Sequence, residues 1–242
     1  IERMRANGAS EDRLLMDSAL VELTAGNLPE AKRILGQVTR EPGAPTEAWF
    51  SLAQIAIQEK DEDALTEALA MLERDRQYLP GLLLLGERAL LQNRTDDARG
   101  YFLRALELSP GNEQILVRLI QFDFRNRDAA SLRIHVGALL AVNPDHAYAN
   151  FMSAYLHIDA KEYGLAETAL RRSLAQKDHG DVRNELAWVL HQQNRNEEAL
   201  EHAEKAIQFA PGNANFHDTL AAIQFALGQT DQALVSQEKA LS

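Results

Sequence analysis

The stretch Leu79–Asn112 constrains the chain most, because the rest of the 242 residues repeats its spacing. It carries Leu82-x2-Leu85-Gly86-x2-Ala89, then a polar turn at Asn93-Arg94-Thr95. After the turn come Ala98-x3-Phe102-x2-Ala105-Leu106 and a closing Pro110. Apolar residues three and four apart line one face of a helix. Two such faces around a polar turn predict an antiparallel helix pair about 34 residues long, with its small residues where the helices touch. One pair cannot bury its apolar face alone, so the copies must stack.

The same spacing divides the chain into residues 12–45, 46–78, 79–112, 113–146, 147–179, 180–213 and an incomplete 214–242. Residues 1–11 read either as the tail of a preceding repeat, closed by a turn at Gly8-Ala9-Ser10, or as a disordered start. In the first repeat Ala19 is the small contact, Gly26-Asn27 the turn, and Pro29 opens the second helix. The second has Trp49-x2-Leu52-Ala53-x2-Ala56. Its Ala64, Ala68 and Leu72 arrive one residue early, which predicts a shortened turn at Lys60-Asp61. The fourth departs most. Ile120 replaces the small residue, Leu132 and Leu139 replace alanines, and Arg127 stands at the turn, so its helices are expected to be pushed apart. The fifth ends on Asp178 where proline is usual. Val235 and Leu241 hold an apolar face to the last residues, so the chain is expected to be a piece of a longer array.

These residues resemble the tetratricopeptide repeat family, whose pattern sets Leu, Gly, Ala, Phe and Pro at such offsets. The resemblance implies an all-α, right-handed α-solenoid (superhelix) of about seven helix-turn-helix units. It implies that inward positions of each first helix contact ligands: Phe50, Gln54, Glu87, Gln121, Tyr148, Phe151, Tyr155, Asn184, Trp188, His191 and Asp218. Met16, Leu20, Ile57, Leu83, Leu90, Val117, Phe124, Ile158, Ala222 and Phe225 share those rows. Tyr148, Phe151 and Tyr155 fall on one helical face, with Trp188 one repeat later. Tyr and Trp suit a half-wet surface, so Tyr148, Tyr155 and Trp188 read equally as groove lining or as inter-repeat core, whereas Phe124, Ile158 and Phe225 are expected in the inter-repeat core. Some family members bind acidic peptide tails with inward Lys, Arg and Asn. Here Asn184 alone fits that pattern, so binding of chaperone tails is not expected.

Composition narrows the partner. A net charge of −11 disfavours nucleic acid and anionic membrane surfaces. No apolar run nears the roughly 20 residues needed to span a bilayer, and no membrane insertion is expected. Without cysteine there is neither disulfide nor thiolate metal site. All seven histidines lie in the second half, yet no HExxH or i, i+4 pair occurs, so no metal and no cofactor are expected. Asp61-Glu62-Asp63, Asp96-Asp97 and Glu197-Glu198 sit at helix starts, where carboxylates suit the dipole, and read as solvated caps rather than acid–base pairs.

The resemblance thus implies a non-enzymatic scaffold that recruits a protein, as a peptide segment or a partner helix, in its concave groove. The runs Asn184-Glu185-Leu186-Ala187-Trp188 and Asp218-Thr219-Leu220-Ala221 resemble large bacterial repeat proteins, some of which dock enzymes of exopolysaccharide synthesis and export. That resemblance favours the periplasm over the cytoplasm. The alternatives are an accessory region of a larger enzyme, such as a glycosyltransferase, and end-to-end self-association through Ile1–Met4 and Val235–Leu241.

Overall fold

The computed structural model describes residues 11–41 and 43–241. The expected tail, with Ile1–Met4 and the Gly8-Ala9-Ser10 turn, lies outside them. Residues 1–110 and 111–242 form two compact units. The first holds α1 (Glu11–Thr24), α2 (Leu28–Val38), α3 (Thr46–Glu59), α4 (Glu62–Leu72), α5 (Leu79–Leu91) and α6 (Thr95–Leu108). The second holds α7 (Glu113–Arg125), α8 (Ala129–Val142), α9 (Ala147–Asp159) and α10 (Tyr163–Gln176). It continues with α11 (Gly180–Gln192), α12 (Asn196–Phe209), α13 (Ala214–Ala226) and α14 (Thr230–Leu241). Odd helices are first helices and even ones their partners. Each unit is an all-α solenoid of helix-turn-helix pairs, with no strand among the described residues. Neighbouring first helices also touch, α3 with α5 and α11 with α13. Among the described residues no helix is long and apolar enough to cross a membrane.

The turns explain the constant register. Gly26, Lys60, Asn93, Arg127, Lys161, Asn194 and Gly228 all have left-handed φ, and each stands two residues ahead of its second helix. One left-handed residue ends a helix and frees the chain to reverse. The expected shortened turn at Lys60-Asp61 is present, with two residues between α3 and α4 where three separate the helices of every other described pair, but the register does not move with it. α3 extends to Glu59, but Lys60 keeps the common place, so Leu65 is buried while Ala64 is only half-buried. Asp61, Asn112, Asp128 and Asn213 cap the following helices with their side chains.

Small residues fill the helix crossings. Ala19, Ala53, Ala154 and Ala187 are fully buried, and Gly86 is so close to Phe102 that an added Cβ would lie 2.8 Å from the ring. In the fourth repeat Ile120 is fully buried at the matching place. There the backbones of α7 and α8 approach each other closely at fewer places than those of α9 and α10 or α11 and α12.

Three joints between repeats in the second unit are clasped by polar side chains. Asn150 Nδ2 donates to the carbonyls of Pro144 (2.9 Å) and His146 (3.2 Å). Arg183 donates from Nε and Nη2 to Asp178 Oδ1 (2.7 Å) and Oδ2 (2.8 Å). His217 Nε2 donates to the Pro211 carbonyl (2.7 Å). Asp178 thus replaces the usual proline with an ion-paired fork. Half-buried His202 accepts at Nδ1 from Arg183 Nη1, 3.1 Å away.

Burial, then the cations Arg183, Arg171 and Lys205, lower the His202 pKa, against a smaller opposing pull from Glu198. The unfolded chain therefore binds this proton first as pH falls. Stability is level above about pH 6.5, declines as pH drops towards the lowered folded value, and levels again below it. His202→Gln should flatten that part of a urea-midpoint-versus-pH curve. An unchanged curve would remove His202 as its source.

Candidate functional site

First helices present their inward faces through residues spaced three and four apart. In the first unit that face is partly closed. Phe50 packs edge-on to Tyr78 at 5.7 Å and joins the core around Ala53 and Leu85. Gln54 is exposed and Glu87 half-buried, so the expected groove residues there make a mixed surface without an exposed aromatic.

The second unit differs. Phe124 on α7 and Tyr155 on α9 meet edge-to-face, with ring centroids 4.9 Å apart at 80°. Both are exposed, as is Trp188 on α11, whose ring lies 5.7 Å from His191. Phe225 on α13 is 69% exposed. The expectation that Phe124 and Phe225 belong to the core is therefore overturned, while Ile158 does pack against it. Helical spacing puts a residue on a face. Whether a neighbouring repeat covers it is decided by that neighbour's side chains. Gln121 is half-buried on α7.

Two cavities open on this face. One, of about 320 Å³, is lined by Tyr148, Phe151, Val182 and Lys177, with His179 and Asp181 at its edge. Burial raises the Tyr148 hydroxyl's pKa against the pull of Arg125, so the phenol stays protonated at neutral pH. The other, of about 330 Å³, is lined by Asp181, Asn184, Glu185, Trp188, Phe216 and Asp218, among others. Asp181 lines both. Of the expected residues, Asn184 is the one that is fully buried, forming part of the wall instead of an exposed rim. Glu185 and Asp181 were not among them. Their signal was a pair of carboxylates four apart on a helix whose other inward residues are Asn184 and Trp188.

The histidines are engaged locally. His157 Nδ1 contacts Glu162 Oε2 and His191 Nδ1 contacts Asn196 Oδ1, each at 2.7 Å across its own turn. No group of His, Asp or Glu among the described residues can hold a metal ion. Of the carboxylates expected to be solvated caps, Asp61 does cap its helix, while Glu62 pairs with Arg88, Asp97 with Arg94, and Glu198 with Arg171 and Arg195.

Repeated helix pairs with small residues at their crossings define the chain as an α-solenoid protein. A tetratricopeptide repeat model matches residues 16–80, 62–113, 125–181 and 156–214, and the chain belongs to that family. No curated protein matches the sequence. Solved structures share the fold. PilF from Pseudomonas aeruginosa is 18% identical over 87% of this chain and 96% of its own, with a TM-score of 0.63. A MamA fragment from Desulfovibrio magneticus RS-1 is 17% identical over 69% and 94%, with a TM-score of 0.60. YrrB, a TPR protein with an unusual peptide-binding site, is 15% identical over 70% and 88%, at 0.59.

Proposed function

We propose that the chain is a non-enzymatic docking scaffold that holds a protein partner, as an extended segment or a helix, on the first-helix face of residues 111–242. The observation that carries this is the row of exposed aromatics on four successive first helices, Phe124, Tyr155, Trp188 and Phe225. Large aromatics left wet in the free protein are the usual anchors of an interface, because burying them releases much apolar area at low entropy cost. The expected groove residues Tyr148, His191 and Asp218 flank that row and would supply its polar rim, while Phe151 and Asn184 stand in the cavity walls. Peptide binding by YrrB is a precedent on the same fold. A narrower form has the partner as an enzyme of bacterial exopolysaccharide synthesis or export, docked at the cell envelope.

Capture from a lysate of the source organism tests the reading. Two anchors at about 2 kcal/mol each make the Tyr155→Ala/Trp188→Ala protein lose its partner by well over tenfold, with helicity unchanged. Undiminished capture would put docking elsewhere.

Exposure of Leu234 (62%), Val235 (51%) and Leu241 (81%) on α14 favours a second, compatible reading, self-association through that helix. Sedimentation velocity should then show mass rising with concentration, and Leu234→Glu/Leu241→Glu should hold it at the monomer. A concentration-independent monomer excludes this.

A further inference from the structure

The cavity between α11 and α13 has the wrong chemistry for an apolar anchor. Asp181, Glu185 and Asp218 line it, and no lysine or arginine does. Asp218 accepts from Gln237 Nε2 (3.2 Å), and Asp181 has His179 Nδ1 3.3 Å from its Oδ2. Among the described residues Glu185 has neither a hydrogen-bond partner nor a cation beside it, and burial, followed by the Asp181 charge, raises its pKa. Asn184, only 7% exposed, contributes an Oδ1 that accepts no hydrogen bond. A buried acceptor left without a donor is uncommon and costs free energy unless something arrives to satisfy it. Trp188 supplies an aromatic wall.

We propose that this cavity receives the guanidinium of an arginine carried by the docked partner, with an apolar neighbour of that arginine in the adjoining Tyr148–Phe151 cavity. This rests on the docking reading above and specifies its partner. A planar cation with five donors can fork to the Glu185 and Asp218 carboxylates and stack on the indole, and a turn of the Asn184 side chain towards it would bring the Oδ1 that is closed from solvent in the free chain into reach. A lysine ammonium is a point charge and uses fewer of these groups. No three of the described carboxylates and histidines are placed to hold a metal ion, which favours an organic cation as the occupant. The two cavities meet at Asp181, so the arginine and its apolar neighbour can be close along one segment.

The probe is a blocked pentapeptide, acetyl-Ala-Leu-Arg-Leu-Ala-amide, compared with versions carrying citrulline or glutamate for arginine. The protein has two tryptophans, so Trp49→Phe leaves Trp188 as the sole fluorescent reporter. The arginine peptide should bind at least about tenfold tighter than the citrulline peptide, and the glutamate peptide not at all. Glu185→Gln/Asp218→Asn should abolish that preference with circular dichroism unchanged. Equal affinity for arginine and citrulline, a preference that survives the double substitution, or no response to any peptide up to about 10 mM would overturn the assignment. Loss of partner capture by Tyr155→Ala/Trp188→Ala without an arginine preference would keep the docking face and discard the arginine.

Discussion

Replacing His135 with leucine should destabilise the chain by about 3 kcal/mol, and replacing Asp123 with leucine as well should restore most of that loss. The two lie inside the α7–α8 pair, Asp123 1% and His135 7% exposed, with Nδ1 and Oδ2 2.5 Å apart. Removing the imidazole deprives a carboxylate in the core of a partner, and a buried charge short of partners is expensive. Removing both leaves two apolar side chains in an apolar crossing, which is often neutral or better. The same two places in the last repeat hold another buried polar pair, Ser236 Oγ donating to Gln224 Oε1 at 2.8 Å. In the sixth repeat the first of the two places holds fully buried Leu190, so leucine fits this crossing. Urea denaturation of the single and double variants reads the coupling. If the double variant loses the sum of the two single losses, the pair is not coupled and the estimate fails.

The hairpins were legible because their causes are local. Spacing of three and four puts Leu82, Leu85 and Ala89 on one face, and each is buried. Turn chemistry was partly legible. Gly26 announces a left-handed residue, but Lys60, Arg127 and Lys161 do not, and it is the repeat that forces them there. This is why Leu65, and not Ala64, is a buried contact of α4. An alanine looks like the small contact, while the register is set by the turn behind it. Asp123 and His135 sit twelve residues apart on different helices, and nothing in either helix alone says that they meet. Asn150, Arg183 and His217 stand where Trp49 and Leu82 stand in other repeats. Those polar exceptions were a readable sign of the clasps to the preceding turns. Of the site, spacing puts Tyr155 and Trp188 on first-helix faces but leaves open whether they are covered, and both are exposed. The exposure of Phe124 and Phe225 was not legible, since it depends on what the adjacent repeat leaves uncovered.

Gly86→Ile should cost about 3 kcal/mol or more, and Phe102→Val on its own about 2 kcal/mol, yet the two together should lie within about 1 kcal/mol of the natural chain. A Cβ on Gly86 would meet Phe102 ring carbons at 2.8, 3.0 and 3.1 Å, and Phe102 is 1% exposed, so the ring has nowhere to go. Isoleucine adds more atoms in the same direction, and its helix propensity is better than glycine's by well under the clash it creates. Shortening Phe102 alone leaves a cavity, which costs lost contacts and lost burial. The fourth repeat already holds the combined solution. Ile120 and Val136 occupy the equivalent places at 0% and 3% exposure. Elsewhere the sum of sizes is kept differently, as Ala154 with Leu170. What the crossing conserves is therefore filled volume and not the identity of either residue. Thermal and urea unfolding of the two single variants and the double variant test this. Recovery should also leave arginine-peptide binding intact, because Gly86 and Phe102 belong to residues 1–110 and the cavities to residues 111–242. A double variant as unstable as the two losses added would mean that backbone approach at Gly86, rather than volume, sets the crossing.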